Sequence, residues 1–167
     1  MDDFKEVIGI ENIGGCDGFM FADVDAIAYI PSTNGGGVDR SVAMKYGRFL
    51  KGYASLTSLS FEETQSETVH GTLYTTSIKG KYPKMDAEML KLFTLLVKSR
   101  TIVTVLDNNS NLRIVGTVDI GLKFKYKDDT GGKPGELNGA QFEFYRQGVN
   151  SSPFYNGPDG SPGMEIV

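Results

Sequence analysis

The sequence predicts a mainly β domain, either a β-sandwich or a rolled β-barrel, with one flanking α-helix. Three observations carry this. Short runs alternate apolar and polar residues, the period of a strand whose side chains point to opposite faces. Many of the 21 glycines fall between those runs, where turns belong. Convincing helical periodicity occurs once. With 167 residues, 40% of them hydrophobic and 23% charged, the chain holds material for one core and an ordinary solvated surface.

The first alternating run extends from Phe19 to Ile30. Met20, Ala22, Val24, Ala26, Ala28 and Ile30 make one small apolar face. Phe19, Phe21, Asp23, Asp25, Ile27 and Tyr29 make the other, so one long strand is expected. Pro31 ends it. A loop over about 31–47 follows, containing Asn34-Gly35-Gly36-Gly37 and no apolar period. A connection of that length and composition is costly to order by itself.

Ser55 to Phe61 and Glu67 to Lys79 then read as half-exposed strands. Between them, Glu62 to Ser66 reads equally as a turn or as the bowed middle of a longer pair. The single helix is predicted over about 86–98. Asp86 caps it, and Met85, Met89, Leu92, Phe93 and Leu96 recur on one face. Lys98 and Arg100 complement the dipole at its end. Leu90, Leu95 and Val97 widen the apolar stripe, so cover is expected on more than one side, from the domain or from a neighbouring subunit.

Thr101 to Leu106 forms the next strand, turning through Asp107 to Asn111 and returning along Leu112, Ile114, Gly116, Val118 and Ile120. Leu122, Phe124 and Tyr126 alternate with Lys123, Lys125 and Lys127. Beyond the loop Asp128 to Asn138, Ala140, Phe142 and Phe144 alternate with Gln141, Glu143 and Tyr145. Pairing of these two strands sets the lysine row opposite Glu143.

Residues 1–147 are therefore read as a single β-rich domain, and 148–167 as an extended or flexible tail containing Phe154 and Tyr155. Loop and tail are both read as segments that become ordered on a neighbouring copy. That makes Asn34, Gly35, Gly36, Gly37, Val38, Tyr46, Phe154 and Tyr155 the candidate subunit-interface residues.

Chemistry is sparse. A net charge of −4, with basic residues scattered apart from Lys123, Lys125 and Lys127, gives no electrostatic reason to grip a polyanion. Sequence-specific DNA binding is not expected, though an acidic surface can let nucleic acid slide past without sticking. Cys16 is the single cysteine, so an intrachain disulfide and a thiolate metal cluster are excluded, and a small loop residue is expected there. His70 is the single histidine and sits in ordinary strand surroundings with no nucleophile motif nearby. Asp129-Thr130-Gly131 spells an aspartic-protease triplet but follows Lys127 and Asp128 instead of apolar residues. Gly131-Gly132-Lys133-Pro134 lacks the first glycine and the final Ser/Thr of a phosphate loop. Asp23 and Asp25 lack the rest of a calcium loop. No catalytic, cofactor or metal residues are assigned and no enzyme activity is expected. No apolar run is long enough for a membrane helix, and Met1 to Glu6 lack the pattern of a secretory signal, so synthesis in the cytoplasm is expected.

Strands, a long glycine-rich loop, more strands, one apolar helix and two hairpins form an order that resembles the tail-tube family of tailed phages and the tubes of contractile injection systems. The resemblance lies over residues 85–147, with Leu112 to Thr117, Gly121 to Phe124 and Leu137 to Phe144 resembling virion structural proteins of phages and prophages in Bacteroides-like bacteria. It implies a virion location and homo-oligomeric, hexameric rings that stack and bind other tail or neck proteins. It also implies an acidic lumen through which DNA passes without specific binding. Tail terminators, neck rings and completion proteins are neighbouring roles. The reading from another class is a β-sandwich binding module for carbohydrate or a host surface, using Tyr145, Phe154 and Tyr155.

Overall fold

The structure, a computed structural model, describes residues 14–33, 36–129, 139–157 and 165–166. In chain order, β1 (Cys16–Asp23) leads through a short 3₁₀ turn (Val24–Ala26) to β2 (Ile27–Tyr29), β3 (Gly37–Val38), β4 (Ala43–Met44) and β5 (Leu50–Lys51). The long hairpin β6 (Ser60–Thr68) and β7 (Gly71–Pro83) precedes the helix α1 (Ala87–Lys98). Then come β8 (Thr101–Asp107), β9 (Leu112–Val115), β10 (Lys123–Asp129), β11 (Gly139–Gly148), β12 (Phe154–Tyr155) and β13 (Glu165–Ile166). The protein is mainly β, a sandwich with one flanking helix.

Three sheets build it. The central one has the order β3-β12-β9-β8-β1-β5, the second β10-β11-β7-β6, and a small third one β13-β4-β2. Both faces of the central sheet are covered. On one face Phe19, Phe21, Val103, Val105 and Val115 meet Ile78, Phe124, Phe142 and Phe144 of the second sheet. On the other, Ala22, Ile102, Leu112 and Ile114 meet Ile27, Val42, Met44 and Phe49. At one corner the two larger sheets touch through backbone, with Leu122 N donating to Thr101 O at 2.7 Å and Thr101 N to Leu122 O at 3.1 Å.

The first core is built on rings. Phe144 is 1% exposed, with its centroid 4.8 Å from Phe124, 5.9 Å from Phe19 and 6.1 Å from Phe21. The helix lies where the sequence places it. Asp86 caps it, accepting from Met89 N at 2.8 Å, and Phe93 sets its ring edge-on to Phe124 and Tyr126 at 5.0 and 5.1 Å. Phe93 and Leu96 are buried, while Met89 and Leu92 pack half-buried beside them.

Three expectations change, and one open alternative is decided. The run Phe19 to Ile30 is not one strand, because Asp23 accepts from Asp25 N at 2.9 Å and turns the chain, sending β2 into the third sheet. β1 before that turn is covered on both faces, not on a small apolar face alone. Of the two readings of Glu62 to Ser66, the middle of a longer pair holds and the turn does not: β6 runs through it, and the chain reverses at Val69 and His70, where Gly71 supplies a φ of 116°. The return strand after Asn111 stops at Val115, because Gly116 adopts a φ of 102° and Thr117 closes a turn with Ile120. By contrast, Lys125 pairs with Glu143 in register, and its Nζ lies 2.9 Å from the carboxylate.

Candidate functional site

Gly36 to Val38 and Phe154 to Asn156, the segments read as waiting for a neighbour, order one another within the chain. Phe154 N donates to Gly36 O at 3.0 Å and Asn156 N to Val38 O at 2.8 Å, making a parallel β3–β12 pair on the edge of the central sheet. Side chains drive this placement. Val38 is fully buried and Tyr155 is 4% exposed, both in the core on that face. Gly37 is buried as well, with Asn156 packed where a side chain would project. Val38, Gly37 and Tyr155 are therefore core residues of this chain, which corrects their reading as interface residues. The expectation that the tail is loose from 148 onward fails for the same reason up to Gly157. Tyr46 is exposed, and Phe154 is partly exposed with the Arg113 guanidinium 3.9 Å from its ring centroid. Asn34 and Gly35 lie outside the described residues.

The ordered tail lines a cleft of about 930 Å³ together with residues 28–33 and with Glu63, Tyr74, Arg113 and Arg146 of the two larger sheets. Its floor is a polar network. Glu63 accepts from Thr76 Oγ1 at 3.0 Å, from Ser152 N at 3.0 and 3.2 Å, and from the Ser152 hydroxyl. Arg146, 5% exposed, donates through Nη2 to Asn150 O at 2.9 Å and Ser152 Oγ at 3.4 Å. Burial pulls the Arg146 pKa below its usual value, and the charge of Glu63 offsets part of that. Arg113 Nη1 donates to Ser152 O at 3.2 Å. Two guanidinium groups and one carboxylate thus converge on Ser152 and staple the tail across the sandwich. The sequence carried one signal for this network: Arg146 shares strand parity with Phe142 and Phe144 on the apolar face of β11. Glu63 gave no such signal, because its segment read equally as a turn or as the middle of a longer pair.

The outer features are strand edges and a projecting hairpin. Among the described residues β10 pairs with β11 alone and β6 with β7 alone, so both ends of the four-stranded sheet are free. β6 carries Glu62, Glu63 and Glu67 and neither Lys nor Pro, while β10 carries Lys123, Lys125 and Lys127. From Thr64 to Thr75 no side chain is buried, and Val69 at the tip is 99% exposed. Five ladder pairs beyond Glu63 and Thr76 extend that ribbon by about 17 Å at ~3.4 Å per residue. Leu90, Leu95 and Val97 on the outer side of α1 are exposed.

Cys16 opens β1 and packs beside the first core, where burial pushes its thiol pKa up. A raised pKa disfavours the reactive thiolate. His70 sits exposed in the hairpin turn, its backbone N donating to Thr68 Oγ1 at 3.3 Å. Asp129 ends β10, and residues 130–138, with the rest of the Asp-Thr-Gly triplet, lie outside the described residues. Among the described residues no three His, Cys, Asp or Glu side chains come together as a metal site, and no helix is long and apolar enough to cross a membrane. Of the aromatics that a carbohydrate-binding face would use, Tyr155 is buried and Tyr145 lies beneath Lys125, whose Nζ is 4.8 Å from its centroid. Comparison with protein-family models, with curated proteins and with solved structures returned no match.

Proposed function

We propose that this protein is a self-assembling structural subunit of a phage-type tail tube or a related tail or neck ring. Copies join head-to-tail into rings, and the rings stack around a channel for DNA. The observation that supports this best is the pair of unlike edges on one sheet, neither of them paired to a further strand among the described residues. β6 is a nine-residue edge strand without the Lys or Pro that usually guards such an edge. β10, at the opposite end of the same sheet, is lysine-rich. Joining β10 to a second β10 sets lysines against lysines, whereas joining it to β6 sets them near Glu62, which shares the outward face of the sheet. An edge that prefers the other edge makes a heterologous contact, which closes into a ring when the rotation allows. The main-chain hydrogen bonds of strand addition supply the joint.

Mass photometry and negative-stain microscopy of the purified protein test this. Rings or tubes are expected. Glu62→Lys should abolish them while leaving the monomer folded, and adding Lys123→Glu with Lys127→Glu should restore them. A wild-type protein that stays monomeric up to high concentration refutes the proposal and moves weight to a β-sandwich binding module. Rings that survive the lysine substitution move the joint away from these edges.

A further inference from the structure

Lysines remote in sequence meet on one face. The outward positions of the four-stranded sheet carry Lys79 and Lys81 from β7 and Lys123, Lys125 and Lys127 from β10, all exposed. Register aligns Lys125 with Glu143 and Lys79, and Lys127 with Gln141 and Lys81, in two rows across three strands. Within a row the two lysines lie about 10 Å apart, and the rows lie about 7 Å apart. They edge a shallow depression of about 400 Å³. The acids on this face are Glu62, Glu143 and Asp129, which pair with Lys79 at 3.5 Å, Lys125 at 2.9 Å and Lys127 at 3.4 Å. Five lysines less three carboxylates leave an excess of +2, carried by Lys81 and Lys123, in a chain whose net charge is −4.

We infer that this face makes sequence-independent contacts with the phosphodiester backbone of duplex DNA. Ammonium groups are interspersed with hydroxyl and amide donors from Ser60, Ser77, Gln141 and Gln147, and these are the groups that phosphate contacts use. Its outward positions offer Leu73 and Tyr145 as apolar groups, too few for a protein-interface core or for insertion into lipid. Among the described residues no helix or ribbon stands out from the lysine array to enter a groove, so the contacts inferred are to the backbone and not to base edges. Binding is weak because any phosphate competes with the carboxylates already present. This goes beyond assembly and stands whether or not the protein forms rings. It also departs from the acidic lumen that the resemblance implies.

Fluorescence anisotropy with a mixed-sequence 30-base-pair duplex tests the inference, run on monomeric and assembled fractions alike. An excess of two charges predicts a log–log salt slope of about −2, so affinity should fall about tenfold between 50 and 200 mM salt. Lys81→Gln with Lys123→Gln should remove binding at 50 mM, and Glu143→Gln, which frees Lys125, should steepen the slope to about −3. No binding at 50 mM, or equal affinity in the double variant, overturns the inference. Equal binding of polyglutamate of matched charge overturns the choice of DNA and assigns the face to an acidic protein. Binding that persists in a protein forming no rings sinks the ring proposal and leaves this one standing.

Discussion

β8 lies inside the central sheet with Ile102 covered on one face and Val103 and Val105 on the other. β6, of similar length, lies at the edge of the second sheet, and none of its residues is fully buried. The first strand is held by apolar burial on both sides, so its β-branched run Thr-Ile-Val-Thr-Val is what a doubly covered strand requires. The second has little to bury. Its conformation rests on the ladder with β7, on Phe61 at its base, and on Glu63 tied to Thr76 and Ser152. A two-stranded ribbon that outruns its core is marginal in water unless something packs on it. Core and ribbon should therefore respond differently to substitution.

The largest response is expected in the core. Phe144→Ala removes a ring in contact with Phe19, Phe21, Phe124 and Phe142, and the cavity should cost about 3–5 kcal/mol on denaturant melting. A loss below about 1 kcal/mol would mean that the two sheets do not share the ring-packed core described above.

A smaller response is expected at the boundary of the two regions, where Glu143 on β11 accepts from Ser77 Oγ at 2.7 Å and pairs with Lys125 at 2.9 Å. Burial alone would raise its pKa. The Ser77 and Lys125 hydrogen bonds and the charges of Lys125 and Lys79 outweigh that and hold it below 4.5. A carboxylate depressed on folding stabilises the protein above its unfolded pKa, and this contribution is lost as pH falls through the lower folded value. Glu143→Gln should thus lower stability at neutral pH by under about 1 kcal/mol, the range of a partly exposed pair. The difference from wild type should vanish in acid. A constant difference from pH 7 to pH 3 would show that the charge is not what Glu143 contributes.

The same contrast explains what the sequence made legible. The helix was readable because Asp86, Phe93 and Leu96 act locally, through a cap and one 3.6-residue stripe. The Lys125–Glu143 register followed from alternation on two neighbouring strands. The loop and tail were misread because composition alone suggested disorder, while Val38 and Tyr155 needed a particular sheet edge to fill, and that edge exists only once β9 is in place. The Glu63–Ser152–Arg146 network joins residues up to 89 positions apart, a pairing that no local period reports. One consequence is practical. Truncation after Gln147 removes Tyr155 from a core, so loss of assembly in such a variant would report unfolding as much as a missing contact.

The smallest effect on stability, and the sharpest test of the comparison, is expected at the hairpin tip. Val69 is 99% exposed. Val69→Ser removes no buried contact of the monomer, so the melting free energy should stay within about 0.5 kcal/mol of wild type. If the ribbon is there to be covered by another copy, the same variant should lose higher assembly. Under the ring proposal the β6 edge near its base joins neighbours within a ring, and the tip, reaching about 17 Å further, meets the next ring. Negative-stain images of the variant should then show separate rings where the wild type stacks. Stacking at wild-type concentration would leave the tip without a structural partner. A stability loss comparable to that of Phe144→Ala would show that the ribbon is supported inside its own chain, and the distinction between the two regions would collapse.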